Sequence, residues 1–533
     1  MKHGQKLLWY GALTAWLLTV CLLTSGPAQA QAISPSTGIS CSQIGALHLI
    51  KEDNQKAGLA LMECGVIPRH EIGGTSNSGG EDSPVVPPNV LISNRTCSSN
   101  ASCTRSESMV YRSERAGDNT VVTNFNANYG SGTCYGGLAY STDGGNTWTE
   151  EDVICTRTNY GDPIVVFNLK LNKWFVGDLA SSDCGGLGIG LWTSPDGINW
   201  TQGACAHVNS NDDRESFWVD NNPFSTKYGR MYISFNNFNI DGGALFVTHS
   251  DDGVTWSSPT QLSTSFIRDV QITGTPPGPP PPNASYTSTV FVAAMNEMGG
   301  GLGMRQNHMM RSIDGGNSFT DVVMGAAFQG PGDGVCSSNS YFAKINPIWR
   351  HMGWGEPGVG PNQVVHYAYA GKGSLSTGDI YYTRSTDNGN TWSTPIVLND
   401  PETNQFQSHW MPSLSVNFNP AAFTQPQDVT VTWYDRRQST SACNNVTDPG
   451  CNYQRFGVQS RDNGNTWGSN FAVSDQIIPE PSQNNGLVQP CYAGDYDYAT
   501  AYQNNAYVTW DDGRVSVGGA AVQSIEGDVV PEP

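Results

Sequence analysis

Positive charge is scarce in this chain. It has 27 Lys and Arg against 47 Asp and Glu, a formal net charge of −20. A protein that grips a phosphate backbone needs the opposite excess, so nucleic acid is excluded as a partner. Several chemical signatures are missing as well. There is no CxxC or CxxCH, which removes zinc-ribbon, thioredoxin-type and c-haem readings. No HExxH, G-x-S-x-G or EF-hand loop occurs. GGLGIG at 185–190 is followed by TSPDGINW rather than a helix, so it is no nucleotide loop. Beyond residue 30 no apolar run is long enough to cross a bilayer, and the mature chain is expected to have no transmembrane span.

The chain starts with MKHGQK, continues with a mostly apolar stretch at 7–23 and reaches AQA at 28–30. A basic start, an apolar run and a small-x-small site make a secretory signal peptide of residues 1–30. The protein is therefore expected outside the cytoplasm. Thirteen cysteines are present, and Cys21 leaves with the signal, so twelve remain. An even number in an exported chain suggests disulfides. Cys134 and Cys155 flank one repeat of the sequence, and Cys184 and Cys205 flank the next in nearly the same way. Cys41–Cys64, Cys97–Cys103 and Cys443–Cys451 are the next-nearest pairs, leaving Cys336–Cys491.

Residues 31–70 hold one helix-like stretch, ALHLIKEDNQKAGLALMEC, bounded by Cys41 and Cys64. Residues 71–88 (EIGGTSNSGGEDSPVVPP) are a Gly/Ser/Pro linker. From 89 onward, short alternating apolar runs are separated by Gly, Asn and Asp turns. Within this region an octapeptide recurs: STDGGNTW at 141–148, SIDGGNSF at 312–319, ending in Phe, STDNGNTW at 385–392 and SRDNGNTW at 460–467, with copies one residue shorter in SPDGINW at 194–200 and SDDGVTW at 250–256. Asp-Gly and Asn-Gly are hairpin-turn residues, because Gly accepts a positive φ and Asp binds turn N–H groups. Asp143, Asp196, Asp252, Asp314, Asp387 and Asp462 are therefore read as scaffold; a catalytic group is needed once, not six times. The spacing fits units of four short strands. A seventh unit, 494–530, lacks the octapeptide. The fold expected over 89–530 is all-β: a propeller of about seven four-stranded blades, with six as the alternative count.

First strands begin near SESMVYR, GDPIVVFN, RESFWVD and RDVQITG. This alignment makes Glu107, Asp162, Glu215, Asp269 and Asp495 recur at their leading ends, around one channel mouth. A ring of carboxylates suits glycoside hydrolysis, a polyol or a hard cation such as Ca2+. It equally suits hydrogen bonds to neighbouring backbone. Arg214 and Arg268 stand beside two of the carboxylates, where a guanidinium fork would hold a planar anion. Tyr496 is an available nucleophile. His409 and Trp410 are candidates to stack on a sugar face.

The octapeptides resemble the Asp-box, or BNR repeat, S-x-D-x-G-x-x-W, of the sialidase superfamily. VTWYDRR (431–437) and VTWDDGR (508–514) also resemble secreted bacterial sialidase-like proteins. The resemblance implies a propeller and a glycan as partner. For an active sialidase it implies an Asp acid/base, a Tyr nucleophile paired with a Glu, and arginines on the substrate carboxylate. Asp162, Glu215 and Tyr496 are the candidates for catalysis. Arg214, Arg268, Glu107, Asp269, His409 and Trp410 are the candidates for substrate binding. The Phe/Tyr-Arg-Ile-Pro motif of such enzymes is absent, and a sialidase has six blades. The alternative is a non-catalytic extracellular propeller that binds a glycan or a protein. No cofactor is called for.

Overall fold

The structure is a computed structural model. It describes residues 40–43, 64, 86–96, 104–128, 134–151, 153–278, 286–336, 340–347, 349–417, 427–482, 491–517 and 519–532. The signal-peptide and helix readings of residues 1–70 lie almost wholly outside the described residues, as do most of the 71–88 linker and Cys97 and Cys103. The chain divides into two units, Met1–Arg69 and His70–Pro533. Described in the first are the short turn Cys41–Gln43 and the Cys41–Cys64 disulfide.

The second unit is all-β, with three short 3-10 turns among the described residues. Its long strands run in groups of four, each called a sheet below; the second and third groups are joined by a parallel pair at Ser210 and Gly186, and the first and fourth each gain a fifth short strand. The first sheet is Thr104–Arg112, Val121–Asn128, Gly136–Ser141 and Thr149–Glu151. The second is Ile164–Asn168, Lys173–Ala180, Gly186–Ser194 and Thr201–His207; the third is Ser210–Val219, Met231–Asn237, Ala244–Ser250 and Thr260–Phe266. The fourth is Arg268–Gly274, Val290–Asn296, Met304–Ser312 and Thr320–Val323; the fifth is Glu356–Val359, Val365–Gly371, Asp379–Ser385 and Ile396–Val397. The sixth is His409–Val416, Val429–Asp435, Gln454–Ser460 and Phe471–Ala472. In the seventh, Thr500–Ala501, Asn505–Asp512 and Ser524–Pro531 are completed by Val90–Leu91 from the other end of the unit.

Burial explains why these sequences become strands in these places. Second strands such as VFVAAMN are buried along nearly their whole length, because both sheet faces meet neighbours. Fourth strands such as TQLSTSF are mostly half-buried or exposed. Each pair of successive sheets shares one apolar core. Val122 and Leu138 meet Val165 and Trp174 between the first and second sheets. Phe175 and Leu191 meet Phe217 and Ile233 between the second and third. The series continues until Ile525 of the seventh sheet packs with Phe125 and Ala127 of the first. The first strands likewise contact one another in chain order, and the Asp497–Tyr498 strand pairs in parallel with Thr104–Arg112. The packing thus returns on itself.

Each octapeptide is the turn between a third and a fourth strand. In all six, the Ser hydroxyl donates to the Asp carboxylate and accepts a Gly N–H, as in Ser385 Oγ to Asp387 Oδ1 at 2.7 Å and Gly389 N to Ser385 Oγ at 2.8 Å. Asp387 also accepts Asn390 N, Thr391 N and Thr391 Oγ1. The motif is therefore a turn that satisfies much of its own hydrogen bonding.

At the leading ends of first strands the ladder is irregular. Register shifts fall at Ser106/Ser108, Asp213/Ser216, Arg268/Gln271 and Trp410/Ser413. Glu107, Arg214, Asp269 and Met411 sit there at positive φ. Such a bulge costs about 1 kcal/mol of backbone strain at a non-glycine residue and re-aims its side chain. Hydrogen bonds to the neighbouring strand hold the strained residues in place.

Candidate functional site

Three of these bulges, those at Glu107, Arg214 and Arg268, open into a cavity of about 340 Å³, lined also by Asn126, Tyr135, Tyr160, Asp162, Asp213, Arg350, Tyr492, Asp495 and Tyr496, among others. Three arginines arrive from three places in the chain. Arg350 makes a paired contact with the Asp495 carboxylate through Nε, at 2.8 Å, and Nη2. Arg214 reaches Asp269 at 3.2 Å and lies over the Trp354 and Tyr496 rings at 4.3 and 4.9 Å. Arg268 approaches Asp213 at 3.5 Å. The acidic and basic groups nearly cancel, which lets so many charges share one site.

The carboxyl groups are shifted in opposite directions. Burial, then Asp495 and Asp162, push Glu107 well above the usual carboxylate range. Glu107 accepts the Asp495 backbone N–H at 2.7 Å and contacts Asn126 and Tyr492. Asn126 Nδ2 also donates to the Tyr492 hydroxyl at 2.9 Å, and Asn126 Oδ1 accepts the Asp162 N–H at 2.9 Å. One asparagine thus ties together the tyrosine and both acids. Burial and Asp213 raise Asp162 to about 7, against the Arg214 N–H that it accepts at 2.8 Å. Burial also raises Asp495, but Arg350, Arg214 and Arg268 outweigh it and keep Asp495 ionised.

Of the residues singled out in the sequence, Glu107, Asp162, Arg214, Arg268, Asp495 and Tyr496 line this cavity. Glu215 and Asp269 do not. Each lies one residue from a cavity-lining arginine, and the backbone turns it the other way. Glu215 is fully buried, and burial, then Asp162, raise its pKa well above the usual carboxylate range. Asp269 accepts Gly355 N at 2.8 Å, Tyr367 Oη at 3.0 Å and Arg214, which bonds it to the fifth sheet. His409 and Trp410 are corrected too. Trp410 is buried against Trp349, Tyr434 and Tyr453 and has no face for a sugar. His409 is buried with Asp435, Asp379 and Glu402; burial lowers its pKa, but these carboxylates outweigh that and hold it above the usual value. The Glu402 carboxylate is further capped by the backbone N–H groups of Leu375 and Ser376.

Arg350, Asp213, Asn126, Tyr135 and Tyr160 were not singled out. Arg350 carries a readable signal: like Arg214 and Arg268, it stands near the head of a first strand, six positions before Glu356. Tyr492 contacts Glu107, and Tyr496 lies under Arg214 at 4.9 Å. The disulfides among the described residues of this unit are Cys134–Cys155, Cys184–Cys205, Cys336–Cys491 and Cys443–Cys451.

No protein-family model and no curated protein matches the sequence. Solved structures of similar shape include Penicillium chrysogenum α-L-arabinanase complexed with arabinobiose (11% identity, TM-score 0.40, covering 66% of this chain and 94% of that one). Phage phi92 endosialidase is another (12%, 0.39, 84% and 69%), as is Trypanosoma rangeli sialidase in complex with sialic acid (14%, 0.35, 86% and 60%). Likeness this distant carries no functional weight.

Proposed function

We propose that residues 89–530 form a seven-bladed β-propeller, exported from the cytoplasm, that takes the anionic end of a glycan into the Glu107–Asp495 cavity and hydrolyses its glycosidic bond. The observation that carries this reading is the convergence of Arg214, Arg268 and Arg350 on one cavity with Glu107, Asp162 and Asp495. Guanidinium groups match a sugar carboxylate. A neutral carboxylic acid sharing a site with an ionised one is the pairing that glycosidic cleavage uses. Glu107 gives its proton to the leaving oxygen as the glycosidic C–O bond breaks; water then adds to the anomeric carbon and returns its proton to the Glu107 carboxylate. Asp495, fixed by Arg350, stays ionised and stabilises positive charge developing on the sugar. No metal or cofactor enters this chemistry.

A binding module is the second reading. It is favoured by the hydrogen bonds that Glu107 and Asp162 already accept from backbone across the strands. The two are separated by incubating the purified mature chain with 4-methylumbelliferyl N-acetylneuraminic acid and with a panel of uronic-acid glycosides, alongside a glycan array. Release of the fluorophore that Glu107→Gln abolishes is the expected result. Array binding without release by the wild type would leave the binding module. Neither binding nor release would overturn both readings.

A further inference from the structure

Tyr135 and Tyr160 stack at the edge of the cavity, with ring centroids 6.0 Å apart and planes 15° from parallel. Tyr160 is 48% exposed, among the large exposed side chains of the molecule, yet it lines the same cavity as the arginines. We infer that the Tyr135–Tyr160 pair is a platform for a second, uncharged sugar unit, so the ligand is an anionic sugar joined to a neutral one. The inference rests on the glycan reading above and adds where the rest of the chain goes.

The pair is built, not incidental. The Cys134–Cys155 disulfide joins the segment before Tyr135 to the one that leads to Tyr160. Asn159 Oδ1 accepts the N–H groups of both Tyr135 and Gly136 at 2.7 Å. Tyr160 N donates to Leu179 O at 2.8 Å. Gly161 follows at φ +84, and a Cβ there would stand 2.1 Å from Asn126 Oδ1. Only glycine lets the chain pass Asn126, the residue that ties Glu107 to Tyr492. Asp162 comes next and enters the cavity. The segment from Tyr160 to Asp162 thus places an aromatic face two residues from an acid. An aromatic face left open to water at the rim of a polar cavity suits the C–H face of a pyranose, which offers apolar area without charge. The arginines lie deeper, so the charged unit sits inside and the neutral unit at the rim.

Calorimetry with free N-acetylneuraminic acid and with 3′-sialyllactose, on wild type and Tyr160→Ala, tests this. Glu107→Gln is introduced into both proteins to prevent turnover. The trisaccharide should bind about tenfold more tightly than the monosaccharide, and Tyr160→Ala should remove that advantage while changing monosaccharide affinity less than about twofold. Tyr160→Phe should retain the advantage. Monosaccharide binding with no gain from the trisaccharide overturns the platform and leaves the anionic site standing. An advantage that survives Tyr160→Ala also overturns it. Binding of neither probe overturns the sialic-acid form of the anionic-site reading, and the platform with it.

Discussion

The Glu107 carboxyl accepts the backbone N–H of Asp495 at 2.7 Å, across 388 residues of sequence. Burial raises the pKa of the first, while Arg350 outweighs burial and lowers that of the second. On the hydrolase reading this contrast sets the pH profile. Glu107 must keep its proton, and its pKa is raised, so activity falls on the alkaline side as it ionises. Asp495 must stay ionised, and its pKa is lowered, so activity falls on the acid side as it takes up a proton. A plot of kcat/KM against pH should be a bell, and Glu107→Gln should cost at least ~100-fold in kcat. A flat profile would remove Glu107 from the chemistry.

Stability should have its own pH optimum, on the acid side of neutral. Glu480 and Glu526 are raised to about 8 and Glu114 to about 7, in each case first by burial. Groups raised in the fold stabilise it below their unfolded pKa, and that contribution fades as pH climbs through the folded value. Asp387 goes the other way, lowered to about 2 by its turn hydrogen bonds, and the other octapeptide aspartates are also lowered. Their contribution is present above pH ~4 and lost as pH falls through the folded pKa. Melting temperatures measured from pH 2 to 9 should peak near pH 4–5. Glu480→Gln should flatten the alkaline limb; a peak above pH 8 would contradict the assignment.

The octapeptides were legible because turn chemistry is local: Ser, Asp and Gly within five residues complete their own hydrogen bonds. The site was legible only in part. Glu107, Asp162 and the two arginines stand out because carboxylates recur at the heads of first strands, with the arginines directly beside two of them. The fifth first strand, Glu356–Val359, reads EPGV, and Pro357 and Gly358 hide it from any strand pattern. Arg350 was lost with it. Near Tyr492, Gly494 sits at φ +108, where a Cβ would crowd Asp511 and the Glu107 backbone. That contact arises only once the last strands return to the first, so nothing within the segment announces it. Charge cannot reveal that Trp410 is core, since His409 beside it is buried along with its counter-charges.

Loss of one octapeptide aspartate should be mild and local. Asp387→Ala leaves exposed donors that water can serve, so stability should fall by about 1 kcal/mol. Glycan binding should not change. Urea melts paired with a binding assay check this, and loss of binding at full stability would make the turn a functional site.

The Cys336–Cys491 disulfide closes a loop of sequence separation 155 and ends one residue before Tyr492. Long loops give a cross-link the most chain entropy to remove. Replacing both cysteines with Ser should lower stability by about 2–5 kcal/mol. It should also weaken binding at the cavity, because Tyr492 then loses its anchor. Denaturant titration without reductant, followed by calorimetry on the folded fraction, separates the two effects. Unchanged affinity would show that Asn126 and Glu107 suffice to hold Tyr492.

Val90–Leu91 is a two-residue strand, and such a strand would ordinarily contribute little. Here it completes the seventh sheet by pairing with Gly527 and Glu526. Its flanks strengthen the seam. Asn89 Nδ2 donates to Asp528 at 2.8 Å and to Val473 O at 2.9 Å, while Asn89 Oδ1 accepts Asp475 N at 2.7 Å. Ile92 is fully buried against Phe125, Ala127 and Ile525, where the last sheet meets the first. The strand therefore closes a packing circuit whose other joints are all made by continuous chain. Ile92→Ala should cost about 2–5 kcal/mol by opening a cavity at that joint. Asn89→Ala should cost less, about 1–3 kcal/mol, by leaving a partly buried acceptor and N–H without their partner. Hydrogen exchange gives the sharper test. In Ile92→Ala the amides of Ser524–Pro531 and of Val121–Asn128, on the two sides of the joint, should lose protection before those of Val290–Asn296. Uniform loss of protection across all sheets would mean that the circuit has no weak joint and opens as one cooperative unit.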